Sequence, residues 1–120
     1  MHNRKTSDRI LVVLVEPAKK PVKKVIENDL AAMQSLVGGW IENVTIGSSG
    51  DARIGIMLNE EGKLIDLPMN RIVHGRGGSD VFVGNFFVTA YNEEGDQCSL
   101  TEEEADHFVR RFSSIEVYLR

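Results

Sequence analysis

Ile10-Leu11-Val12-Val13-Leu14-Val15 is the stretch on which the fold turns. It is an unbroken apolar run, rich in β-branched residues, and it stops at Glu16-Pro17. A strand with one wet face would alternate apolar with polar residues; a continuous run reads as a central strand covered on both faces. It is far shorter than the roughly 20 residues needed to cross a bilayer.

Working outward, Pro21 to Glu27 is lysine-rich but carries Val22, Val25 and Ile26, which suggests a second strand nearer an edge. Asn28 or Asp29 then caps a short helix whose stripe is Leu30, Met33, Leu36 and Val37, with Gly38 at the left-handed C-cap position. Trp40 to Ile46 returns to strand periodicity, with Trp40, Val44 and Ile46 on one face. Arg53 to Asn59 alternates, pointing Ile54, Ile56 and Leu58 inward. Val81 to Tyr91 is the second strongly apolar stretch, and Gly84-Asn85 within it marks a bulge or tight bend. Thr101-Glu102-Glu103-Glu104 has the form of a capping box, followed by Ala105, Phe108, Val109 and Phe112 at helical spacing. Ile115, Val117 and Leu119 alternate with polar residues as a terminal strand should. The order β-β-α-β-β-β-β-α-β predicts an α+β domain: a mainly antiparallel sheet with two helices packed on one side. An open barrel plugged by a helix is the alternative.

The 120 residues amount to one domain, with residues 1–8 expected as a disordered tail. Composition is ordinary for a globular protein, 42% hydrophobic and 27% charged, and the net charge of −4 weighs against generic nucleic-acid binding. The charge is uneven: residues 1–24 are basic and residues 93–106 acidic. Two solvated faces, or a head-to-tail contact between copies, would account for that. Cys98 is the only cysteine, so neither an intramolecular disulfide nor a cysteine metal cluster is available, which suits a reducing cytoplasm. No signal peptide is apparent, and a cytoplasmic protein without membrane attachment is expected.

The candidate site is the polar segment Asn59-Glu60-Glu61-Gly62-Lys63-Leu64-Ile65-Asp66-Leu67-Pro68-Met69-Asn70-Arg71. Asn59 to Gly62 is turn chemistry, with Gly62 expected to supply a positive φ, and Leu67-Pro68 forces an extended dipeptide. Asn70 and Arg71 follow, an amide beside a guanidinium that can hold a carboxylate or phosphate in bidentate fashion. The competing reading makes Asn70 a cap and pairs Arg71 with Asp66 or Glu60. Gly75-Arg76-Gly77-Gly78-Ser79 is a loop by composition, able to close over a ligand, although it lacks the lysine and following helix of a phosphate loop. Trp40 can stack on a ring or serve as a half-buried anchor. His2, His74 and His107 have no metal-binding spacing, and neither a cofactor nor a catalytic residue is predicted.

Several segments carry a resemblance when read in order: Leu14-Val15-Glu16-Pro17, Leu36-Val37-Gly38-Gly39-Trp40-Ile41-Glu42, the Asn59 to Arg71 block, Gly84 to Val88, and Gly95 to Thr101. Together they resemble a family of small uncharacterised proteins encoded by bacteriophages, plasmids and other bacterial mobile elements, over about residues 10–112. The resemblance implies no established activity, only a setting: an accessory gene of a mobile element. The Gly-Arg-Gly-Gly insert at 75–78, the basic N-terminus and the C-terminal strand depart from the family pattern.

These readings converge on a non-enzymatic binding protein. Its recess would be lined by Asn59, Lys63, Asn70 and Arg71, aided by Arg76 and Trp40, and would capture an anionic, nucleotide-type ligand in counter-defence. The alternative is a protein–protein inhibitor or adaptor acting on a host protein through the acidic stretch 93–106. A small hydrolase using Cys98 or the Glu102–Glu104 carboxylates is the third reading. Pairing of the C-terminal strand edge would make a homo-oligomer.

Overall fold

A computed structural model describes residues 3–75 and 78–116. The apolar run forms β1 (Arg9–Val15) near the middle of an antiparallel sheet. Its neighbours are β2 (Val22–Glu27) on one side and β7 (Phe86–Tyr91) on the other. Beyond β7 come β4 (Ala52–Asn59) and then β3 (Ile41–Ser49), giving the order β2-β1-β7-β4-β3. β8 (Gln97–Cys98) pairs with the far end of β7. A separate two-stranded ribbon is made by β5 (Met69–Gly75) and β6 (Gly78–Val83). The helices are α1 (Leu30–Val37) and α2 (Glu102–Arg111). The fold is therefore α+β with a mainly antiparallel sheet, as the sequence predicts.

Alternation along the strands sends side chains into two separate cores. Ile10, Val12 and Leu14 of β1, with Ile26, Met57 and Phe87, meet Met33 and Val37 of α1. Val13 and Val15, with Ile54, Ile56 and Phe86, meet Phe108 of α2 and its C-cap residue Phe112 on the opposite face, where the ribbon adds Val73 and Phe82. The helices thus lie on opposite faces, which corrects the expectation of both on one side. The cause is in β1 itself: a strand apolar on both faces needs a covering layer on each.

The helix ends follow their residues. Asp29 caps α1 by accepting from the Ala32 amide, and Gly38, at φ 78°, ends it. The capping box of α2 is complete: Thr101 accepts from the Glu104 amide, and Glu104 accepts from that of Thr101. Gly84, at φ 70°, makes the tight bend between β6 and β7.

Other expectations change as well. Met69 to Gly75, read partly as a presented turn and partly as a loop, is strand β5, and β6 begins at Gly78. Gly62 is not among the glycines of positive φ; Asp66 takes that conformation instead, at 57°. Glycine is needed at 62 for closeness, since an added Cβ would sit 2.9 Å from Val83 Cγ2 and 3.3 Å from the Asn59 carbonyl. Residues 3–8 are not a free tail. Arg4 bonds both oxygens of Glu104 at 2.8 and 3.0 Å, Asn3 donates to Glu94, and the Asp8 carbonyl accepts from the Asn28 amide. With Lys23 reaching Glu102 and Asp106, the basic and acidic stretches meet within one chain rather than remaining two solvated faces. Lastly, Ile115 and Glu116 are not in a strand, and the remainder of the expected C-terminal strand lies outside the described residues. Among the described residues, no helix is long and apolar enough to cross a membrane.

Candidate functional site

Asn70 is the extra residue of a β-bulge: Met69 pairs with Val83 and Arg71 with Phe82, leaving Asn70 unpaired between them. The bulge directs its side chain inward. Its Nδ2 donates to the carbonyls of Val15, at 2.9 Å, and Gly84, at 2.8 Å, while Oδ1 accepts from Arg71 Nη1 at 2.8 Å. Arg71 is 1% exposed. Its Nε and Nη2 donate to the Phe112 carbonyl, Nη2 also to that of Lys19, and Nη1 to the Asn70 carbonyl as well as to Oδ1. The guanidinium's donors are thereby engaged inside the protein. This pair ties the β1–β2 turn, the β6–β7 bend and the end of α2 to the ribbon. It does not face solvent, so the recess expected around Asn70 and Arg71 does not form.

Asn59 is likewise buried. Its Oδ1 accepts from the Glu61 amide, and Nδ2 donates to the Val37 carbonyl at the end of α1. Asn92, which opens the repeated Asn-Glu-Glu-Gly, accepts from the Glu94 amide in the same way, so the repeat is one turn used twice. Trp40 is 65% exposed, standing just before β3 rather than anchoring a core. Arg76 lies outside the described residues.

Lys63 and Asn59 do reach a common cleft of about 250 Å³. Val44 of β3, Leu58 of β4 and Phe82 and Val83 of β6 give it an apolar floor. Around them stand Glu42, Glu60 and Asp80, three carboxylates against the single ammonium of Lys63. Lys63 Nζ bonds Asp80 Oδ1 at 2.8 Å, and that lysine, together with the Val81 amide, holds the Asp80 carboxyl below its ordinary pKa. Leu64, 87% exposed, stands at the same cleft.

Glu42 and Val44 of β3 line the cleft, and β3 is an outer strand that among the described residues pairs only with β4. Among the described residues, the two outer strands of the sheet differ. β2 carries Lys23 and Lys24, the usual protection against unwanted pairing. β3, Ile-Glu-Asn-Val-Thr-Ile-Gly-Ser-Ser, has neither lysine nor proline; it is interrupted by one charge, Glu42, and by a bulge at Ile46. Glu42, Val44, Asp80 and Phe82 were not among the site residues expected from the sequence, Val44 being read only as part of a strand face. The signal available was this missing protection at an edge.

Of the groups named for a hydrolase, Cys98, Glu102 and Glu104 have other surroundings. Cys98 is fully buried, and burial pushes its thiol up, away from the reactive thiolate. Glu102 and Glu104 are engaged by Lys23 and Arg4. Among the described residues, no cluster of three His, Cys, Asp or Glu is placed to hold a metal ion.

No curated protein and no solved structure matches the chain. A family described as Domain of unknown function (DUF3846) matches residues 9–113, which includes both cores, the buried Asn70–Arg71 pair and the outer strand β3. The chain belongs to the DUF3846 family.

Proposed function

We propose that this is a non-enzymatic binding protein, of the mobile-element setting its sequence resemblance implies, whose partner is another polypeptide such as a host protein. One observation carries the reading: β3 is a nine-residue outer strand without lysine or proline, paired along one edge only among the described residues and flanked by a cleft with an apolar floor. Unpaired amides and carbonyls along such an edge are a template for another chain. Capture of a small anion is less well supported, because Asn70 and Arg71 are enclosed and carboxylates outnumber cations around Lys63. The adaptor reading moves with the surface. The acidic stretch 93–106 is partly neutralised by Arg4 and Lys23, so the docking face shifts to β3.

The test is a photo-crosslinking amino acid placed at Thr45 on β3, or at Ser35 on α1 as control, in protein made in bacterial cells. Polypeptide adducts from position 45 and none from position 35 are expected. Absence of polypeptide adducts at 45 overturns the reading. A small mass that travels with the protein and is lost on denaturation would return it to anion capture.

A further inference from the structure

We infer that the β3 edge and its cleft accept an extended, cationic polypeptide segment as an added strand, with arginine or lysine alternating with aliphatic residues along it. The inference rests on the partner-binding reading above and names the chemistry of the partner. β3 runs in uninterrupted register over Ile41–Thr45, before the bulge at Ile46. A strand laid there would form main-chain hydrogen bonds to that edge and send alternate side chains toward the cleft.

Two features of the cleft select those side chains. Its floor of Val44 and Phe82 suits an aliphatic group. Its surround holds Glu42, Glu60 and Asp80 against Lys63 alone, so a cation gains and an anion is repelled. Arginine suits the place best, because its planar fork engages carboxylates in bidentate fashion. Asp80 is already bonded to Lys63, leaving Glu42 and Glu60 as the receiving pair. A second copy of this chain is the poorer occupant: β3 against β3 would bring two such carboxylate groups together. The other outer strand, β2, has Lys23 committed to Glu102 and Asp106.

The test uses the full chain and an end-blocked, fluorescein-labelled peptide alternating valine and arginine, with binding read by anisotropy. Controls are the valine–glutamate counterpart and a valine–arginine peptide N-methylated on alternate residues, which cannot add as a strand on the methylated edge. The arginine peptide should bind at least about tenfold more tightly than either control. E42K with E60K should weaken it at least about tenfold, whereas E103K, on α2, should not. Amide exchange should slow at Ile41–Thr45 when the peptide is bound. Equal binding of the N-methylated peptide would reduce the effect to charge adhesion and overturn strand addition. Tighter binding of the glutamate peptide would reverse the chemistry. Concentration-dependent doubling of mass with protection at β3 would make the occupant a second copy. Should no peptide bind while the Thr45 crosslinker still captures a polypeptide, the partner-binding reading stands and the cationic strand is wrong; should both fail, both fall.

Discussion

At Arg71, a charge withdrawn from water is held by carbonyls from three separate parts of the chain. Replacing it with methionine would strip donors from the carbonyls of Lys19 and Phe112 and from Asn70 Oδ1, all inside the protein. We expect R71M to lose about 3 kcal/mol or more, read as a shift of the urea midpoint, and R71K to recover only part of it because an ammonium lacks the fork. A midpoint near wild type would mean that the guanidinium is dispensable. Gly62 offers a second check at this scale. G62A drives a methyl against Val83 without backbone strain, and a loss of about 1–3 kcal/mol is expected from overpacking, by the same measurement. The Asn70-Arg71 pair was legible in sequence as unusual but not as internal. Alternation decides which way a strand residue faces, and the bulge at Asn70 breaks alternation at that very position.

At the scale of elements, what the sequence shows depends on whether the signal is local. Both helices, their caps and the Gly84 bend are written in adjacent residues and are found where expected. The continuous run in β1 also implied cover on both faces, and the two cores bear that out. Which layer supplies each cover depends on non-local pairing, and there the placement of the helices differed. The docking of residues 3–8 was equally hidden, because Arg4 and Glu104 are far apart in sequence. That contact has a pH signature. Burial pushes the Glu104 carboxyl up, but Arg4, Ser49 and the Thr101 amide together hold it below its ordinary value of 4.5. A carboxyl with a lower pKa folded than unfolded adds stability that is present above pH 4.5 and is lost as the pH falls through the folded value. R4Q should therefore lower the urea midpoint near neutral pH and converge with wild type in acid. A constant difference across the range would mean that the pair contributes nothing through charge. At the same end of α2, T101A should cost about 1 kcal/mol by loss of the cap, measurable as a fall in urea midpoint at neutral pH.

For the whole molecule, two cores share one sheet inside an envelope of 48 × 27 × 25 Å. Cys98, fully buried in β8 as part of the α2-side core, reports on how cooperatively that core holds. A maleimide probe should label it only through large-scale opening, so the labelling rate should follow global stability as urea is added. Fast labelling in native buffer would show instead that β8 opens alone.

The guanidinium clamp also bears on the order in which the chain can mature. Its acceptors at Lys19 and Phe112 lie near opposite ends of the described chain, and β1 pairs with β7, so the β1–β2 hairpin emerges from the ribosome long before its partners exist. Until residue 112 has been translated, the α2-side cover of Ile10–Val15 is incomplete, whereas the α1-side cover needs nothing beyond Tyr91. A slow stretch of translation before α2 would prolong that exposure, and this small domain would then depend on chaperones most during its own synthesis.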